Sequence, residues 1–492
     1  MTRENILSIF EQITKIPRES GHEEHIIKFL QDWAKSHNLK SKTDEAGNVL
    51  IVKEASKGFE KAPVIVLQSH SDMVCEKNAG VTHDFAKDPI KTIIENGWLI
   101  APDTTLGADC GIGMAAQLAV LEDKNLKHGK IEALFTVSEE TGLDGAKALK
   151  PGFITGNILI NLDSEDEGEL FIGCAGGIDT TARFKYTTHK PSTDYLKCEF
   201  KIFGGQGGHS GDDINKNRAN AIKILSRFLY RTLDKHDIEL YEIDGGNKRN
   251  AIAREAYAVI GFPKRDKNSI MKIFNSVIDE AKDEYKNSDS GINGSAGEIG
   301  IYDVKEGKKF GEPSKAIDKD TAASLIFSLT GVSHGVLAMS YEIPGFVETS
   351  TNLASVKMEK GNIIRIGSSQ RSAINSCRKA AAEQVEACFS LAGAVVAHES
   401  EYPGWKPKMD SYILKVSEKS YEKLFNVKPI VRAIHAGLEC GLFLDTYPNL
   451  DMISFGPTIR GVHAPGEKLD LDSVEKFRKL LEDIIETVAK NN

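Results

Sequence analysis

Short apolar segments alternate with helical patterns through the first third of the chain, and this alternation constrains the fold most. Strands are predicted at residues 48–52, 64–68, 131–137 and 158–162. The segment Ser20-Gly-His-Glu23 has the form of a capping box that opens a helix. Strands that are separated by helices pair into sheets with parallel character, covered on both faces. The predicted fold class is therefore α/β, with a mixed, largely parallel central sheet flanked by helices.

The middle of the chain has its own strand and helix patterns, which predict an inserted domain. A polar linker at residues 186–193 marks the change of character and places this domain at residues 183–394. Residues 395–492 return to an α/β pattern but are few for an independent domain. We therefore expect residues 1–182 and 395–492 to form one domain that the middle region interrupts.

Composition and charge exclude several classes of protein. Of the 492 residues, 40% are hydrophobic and 27% are charged, as in folded globular proteins. The formal net charge is −9 and no basic stripe is present, which disfavours a nucleic-acid or anionic-membrane partner. The sequence has no signal-peptide core and no run of about 18 apolar residues. Seven cysteines without a CxxC pair are typical of a reducing compartment, so we expect a cytoplasmic protein with a small diffusible substrate.

Two polar motifs suit metal binding but also have structural explanations. His70 and Asp72 follow the strand at 64–68 and face the same side of an extended backbone. Asp72 can therefore hold the imidazole of His70 by a hydrogen bond. Asp109 lies among glycines just before a buried helix predicted at residues 111–121, where an aspartate can equally be a helix cap.

Three further signals follow the same pattern. Glu139 and Glu140 close an apolar strand, and on extended backbone they point to opposite sides, so that one can bind metal while the other faces water or substrate. Asp163 opens an acidic run directly after the strand at 158–162. His463, far downstream, can return a second imidazole. Ligands of open α/β sheets collect at the carboxyl ends of the strands, so we expect these side chains to converge.

The residue types indicate which metals this cluster would hold. Imidazole and carboxylate ligands suit Zn, Mn or Co, and a surplus of carboxylates suits a pair of divalent ions. Zinc is favoured, with manganese and cobalt as alternatives. His435 and Glu439, spaced four residues apart, would also suit a metal pair on a helix, an alternative that we rank below the strand-end cluster.

The ordered motifs HSD, GADCGIG, EET, NLD and VHAPGE closely resemble those of the M20 metallopeptidases, also called the aminoacylase/carboxypeptidase G2 type. The resemblance runs from about residue 5 to residue 485. It implies a zinc-peptidase-like catalytic domain, residues 1–182 and 395–492, interrupted by an α+β lid and dimerisation domain, residues 183–394. It also implies a homodimer with two divalent metal ions in each subunit.

The same resemblance implies a role for each residue of the cluster. The first metal would be held by His70 and Asp163, and the second by Glu140 and His463. Asp109 would bridge the two metals, and the peptide bond after it would be cis. Asp72 would orient His70, and Glu139 would be the catalytic acid and base.

In the inserted domain, the resemblance assigns groups that contact substrate. The segment GGHSG resembles the family's lid motif, whose histidine, here His209, reaches the scissile carbonyl. Asn250 and Arg371 lie in segments that resemble those holding the substrate carboxylate, and Gly437 lies in a loop that resembles one near the substrate. Asn215 stands where relatives often carry histidine, which weakens any inference about lid contacts.

These expectations lead to one predicted function and two alternatives. The predicted function is hydrolysis of unblocked dipeptides, of the Xaa-His type or of broad specificity, by a metal-bridged water with Glu139 as general base. The first alternative is an amidohydrolase of the same group that removes N-acyl groups from amino acids; a requirement for a free α-amine separates the two. The second is a metal-binding protein without catalysis, which should lack a ligand or the base. The preferred dipeptide is not encoded in any residue that we identify.

Overall fold

The computed structural model describes residues 1–299 and 315–491. The helices in these ranges are α1 (Arg3–Ile13), α2 (Glu24–Ser36), α3 (Ala108–Glu122), α4 (Glu139–Gly142), α5 (Asp144–Ala148), α6 (Ala221–Leu233), α7 (Lys267–Glu284), α8 (Lys319–Gly331), α9 (Asn375–Leu391), α10 (Tyr412–Phe425), α11 (Glu439–Thr446) and α12 (Leu471–Lys490), with a 3₁₀ turn at Lys264–Asp266. The strands are β1 (Lys40–Thr43), β2 (Val49–Lys53), β3 (Ile65–His70), β4 (Ile93–Glu95), β5 (Trp98–Ile100), β6 (Ile131–Thr136), β7 (Ile158–Asn161), β8 (Glu169–Cys174), β9 (Gly176–Lys185), β10 (Thr188–His189), β11 (Tyr195–Phe203), β12 (Glu239–Gly245), β13 (Ala256–Pro263), β14 (Asn293–Glu298), β15 (Ala316–Ile317), β16 (Gly335–Met339), β17 (Val347–Glu359), β18 (Ile363–Ser372), β19 (Val395–Tyr402), β20 (Ile430–Ile434), β21 (Asp451–Ser454), β22 (Ile459–Arg460) and β23 (Lys468–Asp470). None of the helices in the described ranges combines the length and apolar character needed to cross a membrane.

The chain divides into two compact units, of which the first contains the predicted α/β sheet. This unit comprises Met1–Cys174, Trp405–Ala433 and Leu438–Asn492. Its large sheet has the strand order β1-β2-β6-β3-β7-β21-β8-β20. The central strands β6, β3, β7 and β21 run parallel, while β1, β2 and β8 are antiparallel to their neighbours. The strands β3, β6 and β7 are buried along their whole length and mainly apolar, because both faces of the sheet are covered. The prediction of a mixed, largely parallel sheet flanked by helices is confirmed, and the four predicted strands lie within two residues of β2, β3, β6 and β7.

The second unit is an antiparallel sheet with helices, as expected for an α+β domain. It comprises Ala175–Gly404 and Ile434–Gly437. The sheet in its described part has the order β14-β11-β13-β12-β17-β18-β9-β19, and β16 adds to β17. Aromatic side chains join α6 and α7 to this sheet, with the ring of Phe200 4.5 Å from Phe228 and 5.1 Å from Phe274. These rings lie in one buried core that gives the unit its own hydrophobic interior.

The observed boundaries of the units differ from the predicted ones. The chain passes between units at 174/175 and 404/405, whereas the prediction was 182/183 and 394/395. β9 pairs with β18 along its whole length, and β19 pairs with β9, so both strands belong entirely to the second sheet. The short return of Ile434–Gly437 to the second unit was not predicted. Long-range strand pairing decides these boundaries, and local sequence pattern does not contain it.

Candidate active site

Parallel strand ends bring the first group of polar side chains together in the first unit. In the register of the sheet, His70 at the end of β3 lies opposite Thr136 at the end of β6, and Gln68 lies opposite Asn161 of β7. The residues that follow these strands therefore leave the sheet at one edge. Glu139 follows β6 by three residues and Asp163 follows β7 by two, which places both beside His70.

Asp72 holds the imidazole of His70 from behind. Oδ1 of Asp72 lies 3.3 Å from Nδ1 of His70, and the Asp72 carboxylate also accepts hydrogen bonds from the Ser20 hydroxyl at 2.8 Å and from the Glu139 and Glu140 N–H groups. Burial raises the pKa of Asp72, but the hydrogen bonds with His70, Ser20 and the Glu139 N–H lower it to about 2. Asp72 is therefore a carboxylate that orients Nε2 of His70 toward the neighbouring carboxylates.

Two sets of candidate ligands meet at Asp109. Its Oδ1 lies 2.9 Å from Nε2 of His70, which is itself 3.2 Å from Oδ1 of Asp163. Its Oδ2 lies 3.2 Å from Nε2 of His463, which is itself 2.9 Å from Oε2 of Glu140. Each oxygen of Asp109 thus faces a different imidazole–carboxylate pair. A bridging carboxylate between two cations requires this arrangement.

The chemistry of the pocket fits cations. Oε1 of Glu140 and Oδ1 of Asp163 are buried and accept no hydrogen bond from the described residues. Hydrogen bonds with Asp109 and Glu140 raise the pKa of His463 to about 11, so these carboxylates favour positive charge between them. Buried carboxylates at this density need compensating charge, which divalent ions supply.

The backbone at Asp109 has the predicted unusual geometry. The Asp109–Cys110 peptide bond is cis, as the resemblance implied. The buried helix predicted at 111–121 is confirmed within α3, and the residues before it, Asp109 and Cys110, depart from helical dihedral angles. Asp109 is thus carried on a turn that precedes the regular helix rather than on the helix itself.

The predicted extended backbone at Glu139 and Glu140 is wrong. Ser138 has a left-handed φ of 51°, and the two glutamates lie on the short helical turn α4. Glu140 faces His463, while the side chain of Glu139 receives no hydrogen bond from residues 1–299 and 315–491. Burial raises the pKa of Glu139 well above its ordinary value, and the charges of Asp163, Glu439 and Glu140 add to this effect against that of His70. The different surroundings of the two glutamate side chains therefore result from a turn and not from an extended backbone.

Two buried residues near this cluster were not predicted in their observed roles. Cys110 lies close enough to His70 and Asp163 to count as a possible ligand, but its Sγ donates to the Leu162 carbonyl and burial raises the pKa of its thiol well above the ordinary value. Glu439 accepts hydrogen bonds from Gln68 at 2.6 Å and Thr136 at 2.8 Å. Because α11 begins at Glu439, His435 lies outside the helix, in keeping with the low rank given to a helical metal pair of these two residues.

The second unit carries the other predicted site residues. Arg371 on β18 is buried; its Nη1 donates to the Tyr402 hydroxyl at 3.2 Å, and its Nε has no hydrogen-bond partner in the described chain. Gly437 packs on the same tyrosine ring, since a Cβ at that position would lie 3.0 Å from Tyr402 Cε2. A buried guanidinium without a carboxylate within salt-bridge distance in the described chain can bind an incoming carboxylate.

His209 and Asn250 lie on loops of this unit. The backbone N–H of His209 donates to Asp213 at 2.7 Å, and its Nδ1 lies 3.4 Å from Asp212. Asn250 is exposed, and its backbone carbonyl accepts a hydrogen bond from the N–H of Ser210 at 2.8 Å, next to His209. The two predicted substrate-contacting segments are therefore held together by backbone hydrogen bonds.

Comparisons with known proteins place the chain among peptidases. The profile of peptidase family M20/M25/M40 matches residues 66–487. The cytosol non-specific dipeptidase of Escherichia coli (strain K12) is 38% identical over 480 residues, which cover 98% of this chain and 96% of that protein. The crystal structure of aminoacylhistidine dipeptidase from Vibrio alginolyticus matches with a TM-score of 0.91 at 38% identity and covers 98% of this chain and 96% of that one. An aminopeptidase from Bacillus cereus, with a TM-score of 0.57 and 18% identity over 100% of both chains, shares the fold.

Proposed function

Since this chain belongs to peptidase family M20/M25/M40, we propose that it hydrolyses unblocked dipeptides at a centre of two divalent cations. The observation that carries the proposal is Asp109, whose two oxygens face two separate imidazole–carboxylate pairs. The two relatives that are 38% identical over 98% of the chain are both named as dipeptidases. The substrate class of those relatives is the basis for proposing a dipeptide here.

Five side chains of the first unit would hold the cations. His70 and Asp163 would bind one ion, Glu140 and His463 the other, and Asp109 both. We propose that the ions are zinc, and manganese and cobalt can bind the same donors. When bound, the two ions would polarise the scissile carbonyl and make a water molecule acidic enough to attack near neutral pH.

Glu139 would move the protons of the reaction. Its carboxylate receives no hydrogen bond from the described residues and is free to accept a proton from the attacking water. Burial, and with it the surrounding carboxylates, raises its pKa, which increases its basicity. The same group would then donate that proton to the leaving amine. Asp72 would keep His70 in one tautomer throughout, with Nε2 free to bind a cation.

Side chains of the second unit would recognise the ends of the substrate. Arg371 and Asn250 would bind the free carboxylate, which favours dipeptides over long chains. His209 would donate a hydrogen bond to the developing oxyanion. Gly437, whose lack of a side chain allows its close approach to the Tyr402 ring, would contact the substrate. We further propose that the protein is a cytoplasmic homodimer, in keeping with its seven free cysteines and its family resemblance.

Arg371→Lys should raise KM more than it lowers kcat. Lysine keeps the charge but loses the planar fork that binds a carboxylate through two hydrogen bonds. Loss of a hydrogen bond to a charged group costs about 1.5–3 kcal/mol, so we expect KM to rise about 10- to 150-fold. A dipeptide with an amidated C-terminus is the control: it should be a poor substrate for both proteins, and to a similar extent. If the variant discriminates against the amide as strongly as the wild type does, Arg371 does not bind the carboxylate.

Removal of metal ions should abolish hydrolysis of unblocked dipeptides, and their return should restore it. The decisive assay uses chelator-stripped protein with added Zn²⁺, Mn²⁺ or Co²⁺ and a panel of dipeptides, tripeptides and N-acetylated amino acids. We expect cleavage of dipeptides and little cleavage of the blocked compounds. Preferential cleavage of N-acetylated amino acids would indicate the deacylase alternative. Metal binding without any hydrolysis would contradict both enzymatic functions.

A further inference from the structure

The carboxylate of Glu467 is bound by four consecutive backbone N–H groups. Its Oε2 accepts from Leu106 at 2.7 Å and Gly107 at 3.0 Å, and its Oε1 accepts from Ala108 at 2.8 Å and Asp109 at 3.4 Å. Glu467 is buried and has no lysine or arginine within salt-bridge distance in the described chain. The N–H groups of the 106–109 turn are therefore the hydrogen-bond donors that compensate its buried charge.

These hydrogen bonds join two segments that are more than 350 residues apart in sequence. Glu467 follows His463 by four residues, and Asp109 ends the 106–109 turn. Two backbone hydrogen bonds add to the connection, from Ala101 N–H to the Glu467 carbonyl at 3.1 Å and from Gly466 N–H to the Ala101 carbonyl at 2.9 Å. The loop that carries His463 is thereby fastened to the turn that carries Asp109.

Arg18 holds the same turn from its carbonyl side. Its guanidinium is buried and donates to the carbonyls of Gly107 and of Asp72, the latter at 2.7 Å. Gly107 has a left-handed φ of 68°, and a Cβ there would lie 2.8 Å from Met73 Sδ, so the turn requires glycine. The turn is thus fixed by a buried anion, a buried cation and close packing.

We propose that Glu467 is a positioning residue that sets the distance between Asp109 and His463, and so the geometry of the centre that the two share. The inference rests on the proposed function, since it takes Asp109 and His463 to bind one cation together. In the structure their side chains are 3.2 Å apart, and Glu467 adds side-chain hydrogen bonds to the backbone hydrogen bonds between their segments. Ligand positions must be held within about 0.5 Å for full effect, and Glu467 supplies that restraint.

The test is a titration of metal-free protein with Co²⁺. Calorimetry measures the heat of binding, and spectroscopy measures the visible absorption of the bound ion. In Glu467→Gln, the side-chain NH₂ group would replace one carboxylate oxygen. It would face backbone N–H groups that donate to that oxygen in the wild type, and it could not accept their hydrogen bonds. We expect one of two binding steps to weaken about 10- to 100-fold, with an altered absorption spectrum, while the other step is retained. Glu467→Asp keeps the charge on a shorter side chain, so its Co²⁺ affinity should lie between those of Glu467→Gln and the wild type.

Glu132→Gln is the matched control. Glu132 is also a buried carboxylate that accepts backbone N–H groups, from Thr155 at 2.6 Å and Gly156 at 3.1 Å, but it lies near the amino end of β6, away from Glu139. The Glu132→Gln variant should have a lower melting temperature than the wild type but the same Co²⁺ affinity in both binding steps. If Glu467→Gln binds both ions as the wild type does, or if Glu132→Gln weakens binding equally, the positioning role is overturned.

Two further results keep the outcome interpretable. A wild-type protein that binds fewer than two Co²⁺ ions would contradict the proposed function itself, not the role of Glu467. If neither variant of Glu467 folds, amide hydrogen exchange of the wild type decides: Leu106, Gly107 and Ala108 should exchange slowly. Exchange of these amides as fast as that of the exposed loop amide of Gly80 would show that the carboxylate does not hold the turn.

Discussion

Glu139→Gln should lower kcat by about 10²- to 10⁴-fold and leave the metal content of the protein unchanged. The substitution keeps the size of the side chain but removes the group that would accept a proton from water. Glu139 carries no hydrogen bond from the described residues, so its loss should leave few partners unsatisfied. The measurements are steady-state kinetics with an unblocked dipeptide and elemental analysis of the purified variant. We expect KM to change much less than kcat, because the base acts mainly in the transition state.

Asp144→Asn provides a control for the loss of one negative charge near Glu139. Asp144 is exposed at the first turn of α5, which directly follows the turn that carries Glu139. Its variant should retain the activity of the wild type. Full activity of Glu139→Gln would show that another group is the base. Loss of metal from Glu139→Gln would show instead that Glu139 is a ligand.

Local patterns in the sequence contain the main features of the first unit. The strands are predictable because a parallel strand covered on both faces is rich in apolar residues along its length. The polar residues at the strand ends are also predictable, because His70 ends the buried strand β3 and Asp163 lies just after the buried strand β7. The convergence of these ends follows from the direction of parallel strands. The spatial cluster could therefore be predicted, although the role of each residue in it stays a prediction.

Predictions that depended on the conformation of a single turn were less successful. The capping box at Ser20 and Glu23 is wrong: the Ser20 hydroxyl donates to Asp72, and the carboxylate of Glu23 accepts the N–H of Ser138 at 2.9 Å. α2 still begins at Glu24 because its apolar spacing, and not its cap, drives its burial. Both side chains therefore form tertiary hydrogen bonds instead of capping the helix.

Partners that lie far apart in sequence could not be predicted from either pattern. Glu467 stands in the quoted motif VHAPGE, but nothing in a motif of six residues shows that its carboxylate meets the turn at 106–109. Glu439 was considered only as a ligand, and its buried hydrogen bonds with Gln68 and Thr136 arise from strand order. Such contacts depend on which strands become neighbours, and that is a property of the whole fold.

Asp109→Ala should lose both cations, whereas variants at the flanking ligands should lose one each. The reason is geometric: the two oxygens of Asp109 lie 2.9 Å from His70 Nε2 and 3.2 Å from His463 Nε2. Removing this carboxylate deprives each ion of a ligand and also removes the charge that separates them. We expect no measurable dipeptide hydrolysis. Asp163→Ala and His463→Ala should each retain about one ion per chain by elemental analysis after dialysis.

Cys110→Ala distinguishes this assignment from a different set of ligands. The sulfur of Cys110 and the ligand atoms of His70 and Asp163 all lie within 4.8 Å of one another, so these three residues could also form a metal site. Burial raises the pKa of this thiol well above its ordinary value, and its S–H group donates a hydrogen bond to the Leu162 carbonyl, so it is a poor ligand. The variant should bind two ions with little change in affinity. If Cys110→Ala loses an ion while Asp109→Ala keeps both, the centre is built on the sulfur, and the bridging role of Asp109 is wrong.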